Sequence, residues 1–365
     1  MADNRNQHYV PRVHLKPFTR DGAGRAINLF NLERTRAISD VPAKNQCSGD
    51  YFYGHDARLE RAIQSVEGPY GSVVRHLAEN GVVAPGVDIV LRRFLYLQFL
   101  RTEAAAIAGA EMAMAMTAVP GSDLPAPSFG KLAKMAVQAA MQEYAATMCI
   151  VDDLKLSIVR DRTGLPFVTS DNPAILTNRL HFQRPVPGKC SFGAKDAGVV
   201  FLLPLTPALL AILYDGNVYA VAHRGHWVDA DRTTDIAALN QHQYLHCMAN
   251  IYFGDWECRV DVGAAAADAR PRRPAERLSV VHAVRDEISD WGERFTVQPI
   301  TDIRDGRKWL INVWPDHPEP AAWPSFLRFR PGATAWSNDT GAGRTRQGSL
   351  EHGFVTGAGY RKIRV

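Results

Sequence analysis

The sequence predicts an α+β fold: a central helical block flanked by antiparallel strands, with a C-terminal appendage. Three observations carry that expectation. From Asp56 to Val151 apolar residues recur at three- and four-residue steps, the period of a helix. On either side they alternate with polar residues or run in short apolar bursts bounded by Gly and Pro, the pattern of strands. A content of 46% apolar and 22% charged residues supplies a real core within a globular chain of 365 residues.

The elements follow in order. Pro11 suits the first turn of a short helix running to Phe18, because the N–H it lacks would be unpaired there. Ala26 to Leu32 alternates after a Gly-rich turn and reads as a strand, and Asp50 to Gly54 is a short aromatic piece. Asp56 is placed to cap a helix on which Leu59, Ile63, Val66 and Tyr70 share a face. Val87 to Met116 reads as one long helix or a pair, Pro120 to Pro127 as a loop, and Lys131 to Val151 as a third helical block.

After Asp153 strands return. Leu154 to Arg160 and Leu165 to Val168 are expected to form a hairpin about the turn Asp161–Gly164. Val199 to Leu205 and Leu209 to Asp215 read as two strands joined by a Thr-Pro turn. Asp231 to Ala249 returns to helix, with Ile236, Leu239, Tyr244 (or Gln243) and Cys247 on one face. The domain expectation is residues 1–255 as the main domain, 256–330 as a small appendage and 331–365 as a flexible tail rich in Gly, Ser, Thr and Arg.

Several classes are excluded or disfavoured. The net charge of +4 permits contact with nucleic acid without arguing for it. The polar N-terminus has no secretory pattern, and the most apolar run, Val199 to Leu213, is interrupted by Pro204 and Pro207, so no membrane contact is expected. Five scattered cysteines without a Cys-x-x-Cys pair fit a reducing cytoplasm. Oligomeric state is not legible.

Two runs stand out: Gln7-His-Tyr-Val-Pro-x-x-x-Leu-Lys-x-Phe18 and Phe167-Val-Thr-Ser-Asp-Asn-Pro173. Between and after them come Tyr51-Phe-Tyr53, Leu59-Glu60 with Glu67, Leu97-Gln-Phe-Leu-Arg-Thr102, Phe201-Leu-Leu-Pro-Leu-Thr-Pro207 and Leu239-Asn240. Each is weak alone, but the ordered set resembles the bacterial domain-of-unknown-function 4238 family over about residues 7–254. Glu103 departs from the pattern, which often has a small residue or proline there, and the extension beyond Asp255 lies outside it. The resemblance implies no activity, so function rests on the residues.

His8, Glu60, Glu67, Arg101, Asp171 and Asn172 are polar groups in apolar contexts. Glu60 and Glu67 are seven positions apart and can face one side of a helix. With Asp171 and His8 they make a hard ligand set suited to Mg²⁺ or Mn²⁺. Arg101 would meet a phosphoryl group, and His8, Arg101, Asp171 and Asn172 are the catalytic candidates. The reading is a metal-dependent, nuclease-like phosphodiester hydrolase, a toxin or defence effector.

The competing reading is a binding module in which the same groups form a structural network. Its basic segment Arg270–Arg277, with four arginines against one glutamate, would dock an acidic partner or nucleic acid. Asp171-Asn172-Pro173 is a natural turn, a lone His8 can cap a helix, and a helical Glu60 is ordinarily solvated. The two readings differ in one requirement: a hydrolase needs two acids converging on a cleft, whereas the network needs each acid neutralised by an arginine or backbone N–H. His242 and His246, with Cys247 and Cys258, have zinc-like spacing but no His-Glu-x-x-His, and His223 with His226 is a loop pair. No phosphate-loop, nucleophile-elbow or dinucleotide motif is present.

Overall fold

The computed structural model describes residues 5–117, 127–186, 189, 191–289, 292–299, 308–338, 343–356 and 358–365. Its helices among these are α1 (Arg12–Leu15), α2 (Ala57–Asn80), α3 (Val87–Leu100), α4 (Glu103–Thr117), α5 (Phe129–Thr147), α6 (Arg179–Gln183), α7 (Thr233–His246), α8 (Arg259–Ala269) and α9 (Gln347–Glu351). Asp56 caps α2 as expected, accepting the Arg58 N–H at 2.8 Å. Gly81, at φ +61°, ends the helix in the left-handed conformation that glycine adopts without strain. The apolar stretch from Val87 splits into two helices at Arg101–Thr102, where the Thr102 hydroxyl accepts the Ala105 N–H at 3.2 Å. The expected loop Pro120–Pro127 lies, but for its last residue, outside the described residues.

A five-stranded sheet runs in the order Trp227–Ala230, Lys155–Asp161, Leu209–Tyr214, Val199–Thr206, Ile175–Asn178. Its first pair is parallel and the others are antiparallel. Every residue of Leu209–Tyr214 is buried because both faces are covered, which is why the run reads as continuously apolar. Phe201 and Leu203 face Tyr70 and Phe94 of α2 and α3, while Val200 and Leu202 face Ile236 and Leu239 of α7.

A second, antiparallel sheet orders Arg36–Pro42, Ala26–Asn31, Asn250–Phe253 and Thr169–Ser170. This corrects the expected hairpin. Leu165–Val168 is not a strand, and Lys155–Asp161 pairs instead with Leu209–Tyr214 and Trp227–Ala230. Pro166 has no N–H to give a ladder, and the Val168 N–H goes to the Asn240 side chain at 3.1 Å.

Two of the expected boundaries also move. α8 lies beyond 255 yet shares a core with the main domain: Val262, Ala266 and Ala269 pack with Phe30, Tyr244 and Ile251. The segment 331–365 is folded where it is described. Thr334–Ser337 pairs with Arg361–Arg364, and Arg346, 1% exposed, donates to Asp153, Ala194 and Ile150 of the main domain. A buried guanidinium needs fixed acceptors, and only the folded main domain supplies them. Leu278–Ser289 with Gly292–Val297 and Trp309–Pro315 forms the three-stranded sheet of the appendage.

Candidate functional site

The N-terminal run enters as a short strand, Asn6–His8, and turns at Pro11 into α1. Gln7 is buried: its amide donates to the Gly54 carbonyl at 3.2 Å and accepts the Tyr53 N–H at 2.7 Å. His8 is half-buried, with Nδ1 3.1 Å from the Gln46 carbonyl oxygen. A carbonyl only accepts, so Nδ1 carries the hydrogen and Nε2 is left as an acceptor. Burial lowers the His8 pKa and keeps the ring neutral at pH 7, although the Gln46 contact opposes the shift.

One turn on, His14 points inward. Its Nδ1 lies 2.8 Å from the Tyr70 hydroxyl and its Nε2 3.0 Å from the Thr169 hydroxyl. It is 1% exposed, and desolvation lowers its pKa to about 3.

Arg101 sits at the corner between α3 and α4, 1% exposed. Nε and Nη2 donate to Gln98 Oε1 at 2.9 and 2.8 Å, Nη1 pairs with Glu67, and the guanidinium lies over the Phe94 ring. Gln98 in turn donates to the Tyr9 carbonyl at 2.9 Å. Arg101 therefore cannot meet a phosphoryl group unless it leaves these partners inside the core, which corrects the expected role.

Asp171 is held just as firmly. It is 4% exposed and accepts the N–H groups of Met248, Ala249 and Asn250 at 2.7, 2.7 and 2.8 Å. Burial raises its pKa, and the three N–H groups oppose the rise. Asn172 accepts the Thr102 hydroxyl at 2.9 Å and donates to the His246 carbonyl at 3.1 Å. Gln243 accepts from Ser170 at 2.7 Å and donates to the Pro173 carbonyl at 2.9 Å, while Asn240 bridges Val168 and Pro166. The whole Ser170–Pro173 loop is thus sewn onto the end of α7.

Three of the four expected metal ligands do come together. Glu60 and Glu67, two turns apart on α2, share a cleft of about 240 Å³ with His8, Arg12, Tyr53 and Gln64. A neighbouring opening of about 410 Å³ continues past His8 and Arg12 to Lys44 and Asn45. Asp171 and Asn172 line neither space. Among the described residues no group of three His, Cys, Asp or Glu is arranged to hold a metal ion. That includes His242 and His246, whose nearest tie is His246 Nδ1 to the His242 carbonyl at 2.9 Å, and His223 with His226, whose rings stack at 5.8 Å.

The sequence reading missed Arg12 and Lys44 as the cations of this mouth, and neither forms an ion pair or side-chain hydrogen bond among the described residues. It also missed Gln7, Gln98 and His14 as buried partners. The available signal was an amide or imidazole inside an apolar run, as Gln98 is inside Leu95–Leu100. A more voluminous cleft, about 1090 Å³, lies elsewhere, between α7, α8 and residues 164–168. Its rim holds Asp255, Glu257, Asp261 and Asp268 against Arg20, so it repels anions.

A family model described as a protein of unknown function (DUF4238) matches residues 6–257. No curated protein and no solved structure matches the chain. None of the described helices is long and apolar enough to cross a membrane.

Proposed function

The chain belongs to the DUF4238 family, and from that premise we propose that it is a non-enzymatic binding module for a phosphate-bearing partner, nucleic acid being the class to test first. One observation carries the reading, the state of pairing of its charges. Asp171 is neutralised by three backbone N–H groups and Glu67 by Arg101. Arg12 and Lys44, by contrast, line the mouth beside His8 with no ion pair or side-chain hydrogen bond among the described residues. Exposed cations without local partners can exchange water and counterions for phosphates at little structural cost. In the C-terminal basic segment, Arg273 is turned inward onto the carbonyls of Tyr244 and Cys247, which leaves Arg270, Arg272 and Arg277 as its outward cations beside the exposed Glu276.

The test is fluorescence anisotropy of a labelled single-stranded oligonucleotide across a salt series. The double variant Arg12→Glu/Lys44→Glu is expected to bind at least tenfold more weakly. Replacing two phosphate contacts should also flatten the slope of log affinity on log salt by roughly 1.4. Equal binding by both proteins, or none at low salt, removes the reading.

A second reading keeps a specific observation in its favour: His8, Glu60 and Glu67 line one cleft. It is the metal-dependent phosphodiester hydrolase, with Mg²⁺ or Mn²⁺ as the candidate ion. A nuclease assay with either metal, an EDTA control, and the variants His8→Ala and Glu60→Gln decides between the two. Cleavage that requires metal and both residues would replace the binding reading with this one.

A further inference from the structure

The α4 sequence, Glu-Ala-Ala-Ala-Ile-Ala-Gly-Ala-Glu-Met-Ala-Met-Ala-Met-Thr, is apolar on nearly every side, and such a helix has to be covered all round. α5 covers one side at close range, since a Cβ on Gly109 would come within 2.8 Å of the Ala136 Cβ. The other side, through Ala104, Ala108 and Met112, faces the appendage across a cleft of about 430 Å³. Ile175, Leu176 and Phe192 supply further apolar wall, and Leu278 and Pro315 close the appendage side. The volume lies within the range of small-ligand sites, about 300–1,000 Å³.

The charge in this cleft is uneven. Arg273 and Arg277 both border it, and among the described residues Asp316 is the only carboxylate that does. Asp316 is occupied, its two oxygens each 2.8 Å from the Ser279 hydroxyl. Arg273 is spent on carbonyls. Arg277 is exposed and has neither ion pair nor side-chain hydrogen bond among the described residues. Two histidines, His246 and His317, also line the space, and burial lowers their pKa values to about 4 and about 3, so they bring polarity without charge at neutral pH.

We infer that this cleft is a binding site for a medium-chain fatty acid, the acyl chain lying along α4 and the carboxylate meeting Arg277. The apolar wall fits the methylenes, and Arg277, the one cation of the edge without an ion pair or side-chain hydrogen bond among the described residues, fits one anionic head. This site is separate from the His8 mouth, and none of the residues used there lines it.

Isothermal titration of the full chain with dodecanoate below its micellar concentration is the test. Saturable binding is expected, with dodecyltrimethylammonium, of the same chain length and opposite charge, at least tenfold weaker. Arg277→Glu should weaken dodecanoate at least tenfold with its melting temperature unchanged, because that side chain is exposed. Ala108→Phe, which fills the wall, should abolish binding. If this variant fails to fold, the Arg277→Glu result and the cationic ligand decide. Absence of saturable dodecanoate binding, equal affinity for the cationic chain, or an unaltered affinity in Arg277→Glu would each overturn the assignment. A failure of oligonucleotide binding leaves the fatty-acid result unaffected.

Discussion

Two regions built from the same kinds of residue behave in opposite ways. Around the Ser170–Pro173 loop, Asp171, Asn240, Gln243, His14 and Arg101 are buried and Asn172 is partly buried, and each is engaged by at least two fixed partners. Around the N-terminal mouth, His8 holds one carbonyl and Arg12, Lys44 and Glu60 hold no partner among the described residues. In the first region polar groups fix the packing of α1, α2, α3 and α7 against the second sheet. In the second, none of the described residues ties Arg12, Lys44 or Glu60 in this way. Residue type does not separate these roles; the number of bonds already made does, because a saturated buried group can take a ligand only by losing a partner it needs.

The largest expected effect tests the first half of that contrast. Asp171→Ala leaves three N–H groups buried without an acceptor and should cost about 3–5 kcal/mol in urea unfolding. A loss below about 1 kcal/mol would show that the loop is not held as described.

A second measurement uses His14, whose pKa is lowered to about 3 in the native state. An unfolded histidine takes its proton near pH 6.5, while the native one does not. Above that pH His14 contributes no slope. Below it the unfolded state binds more protons, so stability should fall by up to about 1.4 kcal/mol per pH unit until the native group titrates. His14→Gln should make the decline between pH 6 and 4 shallower by about that amount. His242, His246 and His317, and to a lesser extent His8 and His181, contribute to the remaining decline, since burial lowers the pKa of each. A slope identical to that of the wild type would mean that His14 is charged or open to water in the native state.

The smallest effect belongs to the mouth. Glu60→Gln and Arg12→Ala should each shift stability by no more than about 0.5 kcal/mol, as surface substitutions do. A larger loss in either would erase the contrast by making the mouth part of the clasp.

Much of the architecture was legible because period and capping act locally. The helix starting at Asp56, the helical character of Val87–Met116 and the pair of strands about Pro207 all follow from spacing and single residues, whereas α7 is buried on most of its sides, with Ile236 and Leu239 in one cluster and Tyr244 and Cys247 in another. The hairpin failed because Leu165–Val168 has strand composition but its N–H groups are claimed by Pro207 and Asn240 from far along the chain. The tail failed similarly: its composition is that of a linker, yet Arg346 finds three acceptors in the main domain.

Of the candidate site, the grouping of Glu60 with Glu67 was readable from their two-turn spacing, and His8 was singled out by its setting. Which of the polar residues meet was not readable. Asp171 lies 163 positions after His8 and reaches the turn at 248–250 instead, while Arg101 turns away from the surface to Glu67. Helical period, caps and apolar patterning are properties of neighbours in sequence, so the sequence determines them. The division between a saturated clasp and an open mouth depends on how many donors and acceptors arrive from distant segments, and only the tertiary structure decides that.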